Sequence, residues 1–183
     1  MLKVLFLGSR PLGKLALELI MKQKGIEIVG VCVKDKYENS YWDADPSDIT
    51  GFKRFSLEDL YSLDFDIAIS VNYWKVVPKD LLEKPRLGFF NVHHSYNLTY
   101  RGLNIATQAI LEARKQNQWF HGTTLHKMAE TLDDGQIVAS DSCELFETDT
   151  AFDLFKRVER LSSKMMTTWL PRILTQKIVC VEP

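Results

Sequence analysis

Asn91-Val-His93 and, about forty residues further on, Asp133-Asp-Gly135 supply a carboxamide, an imidazole and a carboxylate. A carboxamide N–H can donate to a developing oxyanion, and an imidazole can move a proton. With a carboxylate to orient the imidazole, the set can manage the charge and protons of an acyl transfer. The first pair closes residues 87–93, an apolar run that reads as a strand. Residues i and i+2 of a strand face the same side, so Asn91 and His93 share one face of the sheet. Taken singly, an Asn or His at a strand end most often caps a loop, and Asp-Asp-Gly most often makes a turn. The joint pattern is what points to chemistry.

Other chemistries fit less well. Gly8-Ser-Arg-Pro-Leu-Gly13-Lys14 matches the first seven positions of a phosphate-binding P-loop between a strand and a helix. The eighth position is Leu15, where that motif needs a hydroxyl for magnesium, and Pro11 removes a backbone donor. The stretch is expected to be a strand-to-helix turn, at which Arg10 can meet an anionic part of a substrate. His93 and His94 are adjacent on a strand and point to opposite faces, so with His121 and His126 they form no ligand spacing and no metal is expected. His126 reads as structural. Cys32, Cys143 and Cys180 are odd in number and widely spaced, and are expected to be buried free thiols.

The elements that must position these groups follow from spacing. Residues 2–7 read as a strand, 14–24 as a helix stopped at Gly25, and 26–33 as a β-branched strand, giving a β-α-β opening. Residues 35–52 are polar and read as a surface loop. Ser56 with Glu58 and Asp59 behind it opens a short helix. A strand over 66–71, a helical turn over 78–83 and the strand over 87–93 follow. Residues 104–115 carry the apolar stripe Ile105, Ala109, Ile110, Ala113. Two extended segments, 119–128 and 136–146, are joined by a polar turn. Residues 150–170 form a long amphipathic helix capped by Thr150, and 178–181 a last short strand. This alternation predicts a Rossmann-like α/β fold, a mostly parallel sheet with helices on both faces. Ligands bind beyond the carboxyl ends of such strands, where residues 8–13, 71–76 and 93–101 fall.

The chain has 183 residues, 45% hydrophobic and 26% charged, which suits a single domain with a sizeable core. A net charge of -1 gives no electrostatic case for nucleic acid or a membrane surface. No apolar run approaches the roughly 20 residues of a membrane span. The apolar start lacks the basic region of a signal peptide, so a cytoplasmic protein is expected.

Taken in series, Asn91-Val-His93, Ser95, Tyr100-Arg101-Gly102, Gly122-Thr-Thr-Leu-His126-Lys-Met128 and Leu132-Asp133-Asp-Gly135-Gln-Ile137 resemble the folate-dependent formyltransferases. The resemblance runs from about residue 1 to the end. It implies direct transfer of a formyl group from 10-formyltetrahydrofolate to an amine, with no covalent enzyme intermediate and no metal. Asn91 and His93 would then stabilise the oxyanion, while Asp133 orients His93 and assists proton transfer. It further implies a folate pocket along residues 72–77, including Trp74, Lys75, Val76 and Val77. Leu82 and Phe89 would be apolar walls, and Ala129, Glu130 and Leu132 would contribute around the pterin. Ser9, Arg10, Tyr100 and Arg101 are the candidate acceptor-binding residues. One departure stands out: the family's Pro-Ser-Leu-Leu-Pro after the histidine is here His94-Ser-Tyr-Asn-Leu-Thr99, so the loop is less preset in φ.

The acceptor follows from what surrounds the set. Purine-pathway members carry Gly-x-Gly-Ser-Asn after the first strand, which this chain lacks. Members acting on methionyl-tRNA add a C-terminal barrel, whereas here residues 1–183 are expected to be a catalytic domain without an accessory domain. Tyr100-Arg101-Gly102-Leu-Asn104 resembles the amino-sugar formyltransferases, so a nucleotide-linked amino sugar is the expected acceptor. Small molecules are the expected partners. The oligomeric state is open, a homodimer being one option. The rivals are a methionyl-tRNA formyltransferase-like domain, a 10-formyltetrahydrofolate hydrolase and a non-catalytic folate-binding module.

Overall fold

Strand and helix alternate where the apolar spacing changes period, in a computed structural model that describes residues 1–33, 46, 49 and 51–182. β1 (Leu2–Gly8) leads directly into α1 (Arg10–Met21), and β2 (Ile26–Val33) returns beside it. β3 (Ile67–Val71), the single turn α2 (Lys79–Leu82) and β4 (Phe89–His93) follow. Then come α3 (Ile105–Gln116), β5 (Phe120–Lys127), β6 (Ile137–Glu144) and α4 (Ala151–Leu174). The six strands lie in the order β2-β1-β3-β4-β5-β6. β1 to β4 are parallel, while β5 runs antiparallel to both β4 and β6. The expected surface loop over 35–52 lies almost entirely outside the described residues.

The two faces of the sheet are covered unequally. Val4, Phe6, Ile67, Ile69, Val71, Phe90 and Val92 pack on one side against α1 and α4, through Leu12, Leu17, Met165, Met166 and Leu170. Leu5, Leu7, Ala68 and Phe89 point the other way, toward Leu57, Leu60, Leu81 and Leu82. That second face is covered by α2 and a 3-10 turn over Glu58–Ser62, and it is the face on which Asn91 and His93 lie. α3 buries its stripe against the start of α4 instead, on Leu154 and Val158.

Each departure from the sequence-based elements has a local cause. α1 begins at Arg10 rather than at Lys14, because Pro11 sits in the first turn, where its missing N–H costs nothing. Gly13 is thereby inside a helix, and no glycine-rich phosphate cradle exists at residues 8–14. The strand expected over 178–181 is a single bridge, in which Ile137 and Val181 exchange both backbone bonds at 2.6 and 2.8 Å. The helix expected after Ser56 is the 3-10 turn, although Ser56 and Asp59 do cap each other reciprocally. Cys32 is buried as expected, whereas Cys143 and Cys180 are only partly buried free thiols, packed at the margins of the core.

α4 is fixed at its start and at its middle. Thr150 and Asp153 form a reciprocal capping box at its start. Further along, the Ser162 hydroxyl donates to Thr123 Oγ1 at 2.8 Å, between two fully buried side chains. This bond registers α4 on β5, the strand that carries His126.

Candidate active site

The carboxyl ends of β1, β3 and β4 share one edge, and the polar residues singled out by spacing gather there. Asn91 and His93 occupy alternate positions at the end of β4, with Phe90 and Val92 between and beyond them turned into the opposite core. Directly across the antiparallel pair, His126 opposes Asn91 and Thr124 opposes His93. A register shift in the β5–β6 ladder falls between Leu125 and His126. Bulges of this kind re-aim side chains.

Asp133 arrives from the turn between β5 and β6, with a left-handed φ of 50° that an aspartate tolerates better than most residues. Its Oδ2 stands 3.5 Å from His93 Nδ1, and its Oδ1 stands 4.0 Å from His126 Nε2. The Gly102 N–H donates to the same Oδ2 at 3.1 Å. Arg101 pairs with the neighbouring Asp134. Thus Arg101-Gly102 grips both aspartates of the Asp133-Asp-Gly135 turn.

His93 is held from both sides. Its Nε2 lies 2.7 Å from the Tyr100 carbonyl oxygen, while Nδ1 faces Asp133. Both neighbours are acceptors. A neutral ring can donate to only one of them, and the carbonyl and the carboxylate together fix the plane of the imidazole. Tyr100 is itself fixed, its N–H donating to the fully buried Ser95 hydroxyl at 2.8 Å. Ser95 and Thr124 are in turn joined, the threonine hydroxyl donating to the Ser95 carbonyl at 2.6 Å.

The loop from His93 to α3 carries the strain that its missing prolines foreshadow. Asn97, Leu98 and Asn104 have φ values of 47°, 56° and 57°, and Gly102 has 80°. Leu98 is the costly member, since a bulky side chain gains no local hydrogen bond there. Its burial at 4% exposure offsets that cost.

The candidate folate residues divide into two groups. Val77, Leu82 and Phe89 belong to the core of the second face, where the Phe89 ring meets Phe65 edge-on at 5.8 Å. They back the site without an open surface of their own. Trp74, Val76 and Leu132 are exposed large apolar side chains, and Lys75 pairs with Glu58 at 3.8 Å. Ala129 is exposed, and Glu130 pairs with Lys79 at 2.7 Å, joining α2 to the 129–132 segment. Tyr73 and Met128 both pack on the Phe89 core, so residues 72–77 and 128–132 flank one apolar floor. Flat apolar surface with nearby backbone groups suits an aromatic heterocycle.

Of the candidate acceptor residues, Ser9 is buried and its hydroxyl donates to the Asn72 carbonyl at 2.6 Å, which ties β1 to the loop after β3. Arg10 stands next to it with φ 65°. Tyr100 touches the site through its backbone, while its ring lies 5.8 Å from His121. Sequence reasoning missed three contributors: the Tyr100 carbonyl, the Gly102 amide and His126. The first two are backbone groups without a sequence signature. His126 had one, since it alternates with Thr124 toward the face that carries Asn91.

His121 and His126 are buried, and burial pushes both rings down to about 4. Their folded values lie below the unfolded one, so the stability they contribute is present above about pH 6.5 and is lost as pH falls toward 4. Urea unfolding at pH 7.5 and 4.5 is expected to show a loss on the order of 2–3 kcal/mol per ring over that window. His121→Gln should flatten the dependence. An unchanged midpoint at pH 4.5 would show that these rings are solvated.

Residues 47–170 match the family described as formyl transferase. Over 125 residues the chain is 31% identical to a methionyl-tRNA formyltransferase of Listeria innocua, covering 68% of this chain and 39% of that protein. It is 34% identical over 122 residues to the bifunctional polymyxin resistance protein ArnA of Wigglesworthia glossinidia brevipalpis, covering 67% and 18%. The chain spans well under half the length of these curated relatives. An N-formyltransferase from Helicobacter canadensis, crystallised with folinic acid and dTDP-3-aminofucose, superposes with a TM-score of 0.80 at 22% identity, over 100% of this chain and 67% of that one. A phosphoribosylglycinamide formyltransferase from Anaplasma phagocytophilum gives 0.73 at 20% identity, over 96% and 88%. Among the described residues no helix is long and apolar enough to cross a membrane, and no group of three metal-binding side chains occurs.

Proposed function

The chain belongs to the formyl transferase family, and from that premise we propose that it transfers a formyl group from 10-formyltetrahydrofolate to the amine of a nucleotide-linked sugar. The observation that carries this reading is the convergence of Asn91, His93 and Asp133 under the Tyr100–Gly102 backbone. The amine attacks the formyl carbon that the folate supplies, and the tetrahedral adduct collapses by breaking the carbon–nitrogen bond to the folate, whose nitrogen leaves carrying the proton that the amine gives up. Asn91 donates to the formyl oxygen as negative charge develops on it, and a single aimed donor of this kind is worth roughly 10²–10³ in rate. His93 adds to that field and takes up a proton, held by Asp133 and the Tyr100 carbonyl. Asp133 compensates the charge on His93 and assists removal of the amine proton. Trp74, Val76 and Leu132 offer the apolar surface for the pterin, with backbone of residues 129–132 beside it. Arg10 and Arg101 offer positive charge to a nucleotide phosphate.

Two observations favour the sugar: the Tyr100-Arg101-Gly102-Leu-Asn104 sequence, and the aminofucose nucleotide bound to the Helicobacter canadensis protein. The second reading, a methionyl-tRNA acceptor, is favoured by the Listeria innocua relative. The chain is to be incubated with 10-formyltetrahydrofolate and a panel of nucleotide-linked amino sugars, with methionyl-tRNA alongside. Formylated sugar identified by mass is the expected product. Formylated methionyl-tRNA alone would replace the sugar, and formate without acceptor would make the chain a hydrolase. The absence of both turnover and folate binding would sink the reading.

A further inference from the structure

We infer that His126 is a positioning residue that fixes the orientation of the Asn91 carboxamide. The inference rests on the reading of Asn91 as the oxyanion donor. Five observations converge on it. His126 is the cross-strand partner of Asn91, its Nε2 lies 3.4 Å from Asn91 Nδ2, and the same nitrogen lies 4.0 Å from Asp133 Oδ1. The ring is 1% exposed, at a break in the β5–β6 register. Among the described residues its other nitrogen, Nδ1, is buried with no hydrogen bond of ordinary geometry, while the Lys127 backbone lies near enough to the ring to favour a proton on it.

A carboxamide has a donor end and an acceptor end of nearly equal size, so shape alone does not choose between them. An acceptor beside the amide does. The Nε2 lone pair of a neutral ring draws Nδ2 toward it. One Nδ2 hydrogen is then engaged and the second is left for the formyl oxygen, with the amide plane held at the moment charge appears. A flipped amide would set Oδ1 against the Nε2 lone pair, an acceptor against an acceptor. Burial keeps the ring neutral near pH 7, and so keeps the lone pair available. A protonated ring would lose it and turn to Asp133 instead.

The ring's tautomer is read first, by long-range proton–nitrogen NMR on the folded wild-type protein. Nδ1–H with a bare Nε2, neutral from pH 6 to 8 in ~1-unit steps, is expected. An Nε2–H tautomer would put Oδ1 against the ring and overturn the inference. His126→Leu should lower kcat by about 3–10-fold, the worth of one hydrogen bond, with KM for 10-formyltetrahydrofolate unchanged. His126→Gln, whose amide oxygen can stand in for Nε2, should stay within about 3-fold of wild type and remain folded if the leucine variant does not. In an Asn91→Ala background the leucine change should cost nothing further, because its route is gone. An equal loss in that background, or no rescue by glutamine, would mean that His126 only packs. Absence of any formyl transfer in the wild type, alongside the Nδ1–H tautomer, would refute the functional reading and support the pairing.

Discussion

Asn91→Ala and Asp133→Asn are each expected to lower kcat/KM for formyl transfer by roughly 10²-fold or more while the fold survives. The two losses have different origins. Asn91 is half-buried in the middle of β4 and, among the described residues, its side chain makes one long hydrogen bond, so truncation removes a donor and little packing. Its effect should fall on kcat, since the bond to the formyl oxygen strengthens only as charge develops. Asp133 is buried and receives the Gly102 amide, which an asparagine Oδ1 can still accept, and its left-handed φ suits asparagine equally. What Asp133→Asn removes is the negative charge that stands 3.5 Å from His93 Nδ1. Melting temperatures near wild type, together with single-turnover rates, check the expectation. Near-normal rates in both variants would mean that the site lies elsewhere.

The sequence disclosed the strands and their facing because period-2 patterning is a local property. Phe89, Asn91 and His93 could be placed on one face, and Phe90 and Val92 on the other, before any contact was known. Long helices were equally legible from stripe and cap, as Thr150 with Asp153 shows. Two kinds of information were not local. The start of α1 depends on whether Arg10 accepts a left-handed φ so that Pro11 can enter the first turn, and no period reports that. The partners of His93 and Asp133 are backbone groups of Tyr100 and Gly102, whose approach is set by the path of a loop. The missing prolines announced that this loop would differ, but not that Asn97, Leu98 and Asn104 would all turn left-handed. His126 read as structural because a buried strand histidine is usually a packing residue, and its place opposite Asn91 across β4 is a pairing that the sequence does not show.

Gly135→Ala should be the most damaging single methyl in the site, costing at least about 2 kcal/mol of stability and most of the activity together. The reason is proximity rather than turn conformation, because Gly135 does not have the positive φ that would itself demand glycine. A Cβ there would stand 1.7 Å from the Lys127 carbonyl oxygen and 2.8 Å from its carbon, both backbone atoms that cannot swing aside. Those atoms belong to the base of the hairpin, where the Lys127 N–H donates to the Gln136 carbonyl at 2.8 Å. Admitting a methyl means parting β5 from β6 at that bond. Asp133 is two residues away on the same turn, so the parting carries its carboxylate from His93 and from the Gly102 amide. Gly25→Ala is the control: its φ of 74° makes an alanine strained by about 1–2 kcal/mol, but nothing lies within 4 Å and the site is remote. Thermal unfolding and turnover, measured on both, separate the cases. The control should lose stability with turnover intact, whereas Gly135→Ala should lose both. If Gly135→Ala melts and turns over like wild type, the close approach to Lys127 does not exist in solution. A loss of stability with full turnover would instead show that the carboxylate is positioned by the Arg101–Asp134 pair and the Gly102 amide, independently of the hairpin base.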